Sequence, residues 1–369
     1  MEEKLIVVNA SALATSGALT ILRQFLASAI TKKQSKFICF VPDLVDLPDS
    51  DNVLLIRKKK KNWFKRIYWD SFELPRIIKK HYSHCSKVVS LQNTSINTPI
   101  HQVIYLHQPI PFCDINFLKK SNFSLKFFLY KKFYSFFIFM FVNNNTNFVV
   151  QTRWMKDSLC KRGIKAGNID ILRPNFLMPA KDNSETLVVD AKGCPGVKTT
   201  IFLYPATPIN YKNHQIILQA INKLVSKSFN DFVFQVTFEK NTYKIFDSYV
   251  KSHNLEEYIS YLGVVSYDEL IKRYKECNVL LFPSYLETFG LPLLEASTLG
   301  CDILTSDLPY SRDVLSHYEF AKFLPYDDEI AWALNMQQFL GKNKIKHIQT
   351  NNPKNENNSW DVFLSILER

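Results

Sequence analysis

The sequence predicts an α/β protein of two doubly wound domains, each a mostly parallel sheet with helices on both faces. Three observations predict it. Short β-branched or apolar runs alternate with longer helical stretches in both halves of the chain, as in strand-helix-strand units. A polar stretch with a Cys-Pro-Gly turn, residues 180–198, interrupts that alternation near the middle. The chain has 369 residues, 46% of them apolar, enough to fill two cores.

In the first half, Leu5 to Val8 predicts a strand and Ala18 to Ile30 a helix. Further strands are expected at Phe37 to Val41, Val53 to Ile56, Lys87 to Leu91, Val103 to Leu106 and Phe148 to Gln151. Around Ile169 to Phe176 a strand gives way to Pro174, and the hinge follows, so residues 1–175 are expected to form one Rossmann-like domain and 176–350 a second. The second half restarts with Thr200 to Tyr204, then a helix from Asn213 to Lys227, a strand Phe232 to Phe238 and a helix Tyr243 to Ser252. Ile259 to Leu262, a helix Tyr267 to Glu276, Val279 to Phe282, a helix from Pro292 to Leu299 and a strand Asp302 to Thr305 complete it. The terminal run Ser359 to Leu367 reads as an amphipathic helix, and 351–369 is expected to cross back to the first domain and pack across the junction.

Charge is spread unevenly. The formal net charge is +12, yet residues 1–170 hold 26 Lys and Arg against 11 Asp and Glu, and the remainder 20 against 23. A basic first half suits an anionic partner: nucleic acid, acidic lipid or a phosphorylated substrate. The longest apolar stretch, Phe133 to Val142, is about half of the roughly 20 residues that a membrane span needs. Before it, Lys119, Lys120, Lys126, Lys131 and Lys132 are interleaved with Phe117, Phe123, Phe127, Phe128 and Phe133. Segment 117–142 thus fits an interfacial helix on acidic lipid, and equally a core helix with a solvated basic face. Lys58 to Lys61, with Lys65 and Arg66, form a second basic run that reads as a solvated loop.

Seven scattered cysteines, an odd number, argue against a disulfide framework, and the acidic start MEEK running into LIVVNA is unlike a signal peptide. A cytoplasmic protein is expected. His81, His84 and Cys85 have no matching ligand set and read as helix residues, so no metal site is expected.

The most informative segment is Pro283 to Ala296, PSYLETFGLPLLEA. It follows the apolar strand VLLF; Gly290 permits a tight turn and Pro292 suits the first turn of a helix. Strand thus leads to a helix amino terminus, whose open N–H groups and dipole suit a diphosphate. Glu287 on the loop and Glu295 a turn into the helix add two carboxylates that can accept hydrogen bonds from sugar hydroxyls. Ligands of open parallel sheets bind at this edge.

Glu287 and Glu295, with seven residues between them, resemble the signature of the family 4 glycosyltransferases of the GT-B fold, and Gly300 and TSDLPYSRDVL extend the likeness. The resemblance is close over most of the second half. It implies two Rossmann-like domains facing a central cleft. It also implies that Glu295 holds the ribose, that Glu287 contacts the donor sugar, and that the backbone at Phe289, Gly290 and Leu291 meets phosphate and sugar. YPATPINYKNH resembles the family's pyrophosphate-neutralising loop, with Lys212 as the cation and without the arginine that normally accompanies it. Val265, in YLGVV, stands where the family holds the nucleobase. In the first half, Ser16-Gly17, between the first strand and a long helix, offers a backbone N–H to phosphate. His107, in YLHQPIPF, resembles the family's active-site histidine, and Arg153, in QTRWMKDSL, also lies in a segment like the family's.

The resemblance implies a retaining transferase that needs no metal or other cofactor and moves a sugar from a nucleotide diphosphate sugar to an acceptor. The basic, Phe-rich first half suggests an acceptor on a polyprenyl diphosphate, at the inner face of the cytoplasmic membrane, in O-antigen or capsule synthesis. The alternative is a non-catalytic protein that binds nucleotide sugars or nucleic acid through twin Rossmann domains. No base-stacking module or basic recognition helix is evident, so nucleic acid is not an expected partner.

Overall fold

The computed structural model describes residues 4–14, 16–59, 63–112, 125–174, 199–345, 347 and 359–368. The chain divides into two compact units, residues 1–175 with 355–369, and 176–354. The polar stretch 180–198 with its Cys-Pro-Gly turn lies outside the described residues.

The first unit is a seven-stranded parallel sheet: β1 (Lys4–Asn9), β2 (Ser35–Pro42), β3 (Val53–Lys58), β4 (Lys87–Ser90), β5 (Gln102–Leu106), β6 (Thr146–Val150) and β7 (Ile169–Ile171), in the order β3-β2-β1-β4-β5-β6-β7. The run reverses direction between β1 and β4, so a switch point opens at their carboxyl ends, Asn9 and Ser90. Helices cover both faces, and the central strands are accordingly apolar on both sides: Ile6, Val7 and Val8 are all buried.

On one face lies α1 (Ser16–Thr31), which buries Leu22, Phe25, Leu26 and Ala29, an i, i+3, i+4, i+7 stripe. On the other lie α2 (Trp63–Tyr68), a π-helical turn (Trp69–Glu73) and α3 (Leu74–His81), then α4 (Leu125–Phe139) and α5 (Arg153–Cys160). His84 stands in the turn after α3 and Cys85 is buried in the core, so only His81 of that trio is helical, a correction to the sequence expectation.

The second unit has six parallel strands: β8 (Thr200–Tyr204), β9 (Phe232–Val236), β10 (Ile259–Tyr261), β11 (Val279–Phe282), β12 (Asp302–Ser306) and β13 (Ala321–Leu324), in the order β10-β9-β8-β11-β12-β13. Its switch point lies between β8 and β11. Helices α6 (His214–Val225), α7 (Lys244–Ser252), α8 (Tyr267–Glu276), α9 (Leu291–Thr298), α10 (Pro309–Val314) and α11 (Glu329–Gln337) follow the strands. Local chemistry fixes several starts: the Ser266 side chain accepts from the Glu269 N–H at the head of α8, and Asp328 accepts from Ile330 and Ala331 at the head of α11.

The last helix, α12 (Ser359–Glu368), packs on α1 in the first unit. Trp360 and Phe363 meet the Phe25 ring edge-on at 6.1 and 6.2 Å, and Trp360 lies 5.2 Å from Tyr105. Lys87 Nζ donates to the Ile366 carbonyl at 3.1 Å, tying the helix end to β4. No helix among the described residues is long and apolar enough to cross a membrane.

Candidate functional site

In the second unit the loops after β8 and β11 meet at the switch point. Asn213 adopts a left-handed conformation, φ 56°, which turns residues 210–212 back toward the sheet edge before α6 begins. Its side-chain amide then donates to the Pro283 carbonyl at 3.3 Å and to the Tyr326 carbonyl at 2.8 Å, joining three strand ends. Tyr285 N–H and Ser284 Oγ donate to the Tyr211 carbonyl, and the buried Tyr204 hydroxyl donates to the Lys212 carbonyl at 2.7 Å. Tyr310 donates to the Ser284 carbonyl from the other side.

This clamp sets Lys212 beside Glu287, with Nζ 2.5 Å from Oε1 and both side chains partly exposed. The pair brings together two of the residues singled out in the sequence, from positions 75 apart. Gly290 has φ 88°, a conformation that side chains resist, and a Cβ there would sit 3.4 Å from both Leu293 and the Phe282 ring. The chain therefore turns at Gly290 into α9, with Phe289 buried and Leu291 exposed at the first helical position.

Glu295 is buried one turn into α9, and Tyr274 of α8 donates its hydroxyl to Oε2 at 2.7 Å. Burial pushes its pKa up and the tyrosine hydrogen bond opposes that rise. Tyr274 is itself held by its own carbonyl, which accepts from Lys344 Nζ and Cys301 Sγ, each at 3.1 Å. Val265 is partly buried between Gly263, φ 69°, and the cap of α8.

In the first unit, Gly17 stands in the first turn of α1, not in a loop ahead of it. A Cβ there would meet nothing within 4 Å, so neither backbone nor packing demands glycine. His107 follows β5. Its backbone N–H donates to Asn93 Oδ1 at 2.6 Å, and Nε2 lies 3.0 Å from the Leu91 carbonyl and 3.1 Å from Asn93 Nδ2. Burial lowers its pKa to about 4, with the Arg66 charge adding to the shift, so the ring is neutral at neutral pH. Arg153 opens α5.

Sequence reading missed Asp70. The π-helical turn fits one more residue than an α-turn and points both Trp69 and Asp70 inward. The buried carboxylate accepts from Asn9 Nδ2 at 2.7 Å, Gln92 Nε2 at 3.1 Å and Thr94 Oγ1 at 2.7 Å. A carboxylate only accepts, so both amides must turn their oxygens away from it. Asn9 Oδ1 accepts from Trp69 Nε1 at 3.1 Å, and Gln92 Oε1 accepts from the Ala12 N–H at 2.9 Å. One side chain thus orders the loop ahead of α1 and the segment 91–94 on which His107 rests. No spacing marks it, since its partners lie 61, 22 and 24 positions away.

Residues 192–356 match the family described as Glycosyl transferases group 1. The chain is 33% identical over 78 residues to the O-antigen chain mannosyltransferase RfbU of Salmonella typhimurium, covering 21% of this chain and 22% of that protein. It is 27% identical over 173 residues to the capsular polysaccharide biosynthesis glycosyltransferase CapH of Staphylococcus aureus, covering 45% of each. The matched part thus spans less than half the length of these curated relatives. Among solved structures, WaaG, a glycosyltransferase involved in lipopolysaccharide biosynthesis, superimposes with a TM-score of 0.69 at 13% identity, covering 92% of this chain and 90% of that one. HepE of Anabaena, solved in complex with UDP, gives 0.58 at 11% identity, covering 91% and 89%. At such identities the likeness concerns the fold, two parallel-sheet Rossmann-like domains of GT-B type. The second unit is thus similar to the group 1 glycosyl transferases over residues 192–356, and the chain has the GT-B fold.

Proposed function

We propose that the chain is a retaining glycosyltransferase that moves a sugar from a nucleotide diphosphate sugar to an acceptor hydroxyl. The observation that carries this reading is the Lys212–Glu287 pair at the β8/β11 switch point, beside the Gly290 turn and the amino terminus of α9. Lys212 and the open N–H groups of α9 supply positive potential for a diphosphate, and Glu287 keeps the ammonium oriented until a ligand competes for it. Glu295, fixed by Tyr274, accepts hydrogen bonds from the ribose; Phe289, Gly290 and Leu291 offer backbone to phosphate and sugar; Val265 lies on the nucleobase side. A UDP complex of HepE and the mannosyltransferase relatives support a nucleotide sugar as donor.

In the reaction the bond between the anomeric carbon and the phosphate oxygen breaks, and a bond to the acceptor oxygen forms on the same face. The acceptor proton passes to the departing phosphate oxygen, so no protein base is required. Lys212 stabilises the charge that grows on the diphosphate, and no metal or other cofactor has a role. Neutral His107 is assigned to the sugar and acceptor, and the backbone N–H at Gly17 to the donor phosphate. An acceptor on polyprenyl diphosphate fits the excess of cations in residues 1–170 and the relatives' O-antigen and capsule roles. Such an enzyme works at the cytoplasmic membrane face, with segment 117–142 against acidic lipid. Of that segment, residues 117–124 lie outside the described residues, as do the side chains of 125–128 and 130.

A thermal-shift screen against nucleotide diphosphate sugars tests the reading, because a ligand of the native state raises the melting temperature. A stabilising nucleotide sugar, with transfer abolished and the fold kept in Glu295→Ala, is the expected result. Full transfer in that variant overturns it.

A further inference from the structure

We propose that Lys344 is a positioning residue of the donor site: it fixes Tyr274 and, through Tyr274, the carboxylate of Glu295. Lys344 matters to donor binding only if Glu295 holds the ribose, so the role rests on the function proposed above. Glu295 and Tyr274 belong to different helices, α9 and α8, joined here by a hydroxyl-to-carboxylate hydrogen bond of 2.7 Å. Hydrogen bonds of this kind run from about 2.5 to 3.0 Å, so the contact tolerates little sliding of one helix past the other. Whatever holds the end of α8 in place therefore acts on the donor site.

Helix α8 ends at Glu276, and the carbonyls of its last turn have no partner inside the helix. That of Arg273 accepts from the Cys277 N–H at 2.9 Å. Those of Tyr274 and Lys275 both accept from Lys344 Nζ, the first at 3.1 Å. An ammonium group at this point also meets the negative end of the helix dipole. The Tyr274 carbonyl accepts in addition from Cys301 Sγ at 3.1 Å, while the Cys301 N–H donates to the Ala296 carbonyl of α9 at 3.0 Å. Cys301 thus ties α8 to α9 at Tyr274 and at the residue after Glu295, and Lys344 shares the carbonyl through which it does so.

Lys344 is half-buried, and the chain on either side of it is fastened along the amino-terminal edge of the second sheet. Ahead of it, Thr200 Oγ1 at the start of β8 donates to the Phe339 carbonyl and accepts from the Gly341 N–H, each at 3.3 Å. Asn278, before β11, donates to the Lys342 carbonyl at 3.4 Å and accepts from the Ile201 N–H at 2.8 Å. Beyond it, the His347 N–H donates to the Gly300 carbonyl at 3.2 Å, and the His347 ring stacks on Phe320 and lies 3.1 Å from Asp302. Gly300 has φ 74°, and a Cβ there would run into the His347 carbonyl, so the two segments approach as closely as glycine permits. Anchors on both sides set where the ammonium group of Lys344 lies. Lys342, two positions earlier, is exposed and serves as the control.

The test compares Lys344→Met, which keeps the stem and removes the ammonium group, with Lys344→Arg and Lys342→Met, in the full chain and below the unfolding transition of each. By calorimetric titration, affinity for nucleotide diphosphate sugars is expected to fall about fivefold in Lys344→Met and to stay within about twofold of wild type in the other two. In a Tyr274→Phe background Lys344→Met is expected to change affinity little, because the contact that it serves is already gone. A second readout needs no ligand: the titration of the Glu295 carboxyl, which Tyr274 and Tyr267 of α8 face, followed by NMR in protein labelled at its glutamates. Its pKa is expected to rise in Lys344→Met, and not to rise further when the Tyr274 hydroxyl is absent. Lys344→Gln, which keeps a neutral donor, is expected to move both readouts the same way by less. An unmoved Glu295 titration in Lys344→Met, or an equal loss of affinity with and without the Tyr274 hydroxyl, overturns the proposal. A wild type that binds no nucleotide sugar, while the Glu295 titration moves as expected, defeats the donor reading and leaves the hold of Lys344 on Glu295 standing.

Discussion

At the switch point of the second sheet, between β8 and β11, two opposite charges, Lys212 and Glu287, face each other partly exposed. At the switch point of the first, between β1 and β4, a carboxylate is buried and its oxygens are taken by Asn9, Gln92 and Thr94. The same topology thus presents two kinds of edge. One keeps its charge within reach of a ligand, and the other uses charge to order its own loops. Water reaches the first pair, so a polyanionic ligand can take over Lys212 at little cost. The Asp70 carboxylate has no such freedom, because removing it strands three donors.

The largest expected effect breaks the first edge. Lys212→Ala is expected to lower transfer by about 100-fold or more and to weaken nucleotide diphosphate binding, while the melting temperature changes little. Steady-state kinetics and calorimetric titration check it, and near-normal binding would place the diphosphate elsewhere. Asp70→Ala is the mirror case, expected to cost about 3 kcal/mol in chemical denaturation. Nucleotide affinity, which the proposed function assigns to the other unit, should hardly move below the unfolding transition. A loss of affinity without a loss of stability would reverse the assignment of the two edges.

Tyr274→Phe sharpens the comparison inside the second unit. Deleting the hydroxyl removes a hydrogen bond that holds the Glu295 pKa down against burial. The carboxyl then protonates at higher pH, so the acid limb of donor binding is expected to move upward, with affinity at neutral pH falling about tenfold. Binding measured from pH 5 to 8 decides it; an unshifted limb would show that Glu295 does not govern donor affinity.

Strands and helices were legible where period and punctuation agreed. Thr200–Tyr204, Val279–Phe282 and Tyr267–Glu276 fall where the sequence put them, because apolar runs ended at turn residues or at a Ser cap. β13 and α11 escaped: β13 is an edge strand with three of its four residues at least partly exposed, and no alternation marks AKFL. The loop geometry around Glu287 was readable because Gly290 and Pro292 have local backbone meanings, and these hold wherever the chain lies. Asp70 was not, since its role depends on a π-turn and on amides brought together by the sheet.

The smallest expected effect concerns two histidines, one at each edge. His214, the first residue of α6, is buried against Tyr204, Phe238, Tyr243 and Phe246. Burial lowers its pKa to about 3, the Lys212 charge adds to that, and the Ala206 backbone opposes it. His107 is lowered to about 4. In the unfolded chain both return to about 6.5, so between that value and the folded pKa the unfolded state holds more protons. The stability that each contributes is therefore complete above about pH 6.5 and declines as pH falls toward 4 and then 3. His214→Phe removes one titration while filling an aromatic site with a ring of similar size. Between pH 7 and 5.5 the variant is expected to lose about 1 kcal/mol less than the wild type in urea denaturation. Equal losses would mean that the His214 ring accepts a proton without leaving its pocket, and that the cage beneath Lys212 is wetter than its aromatic walls imply.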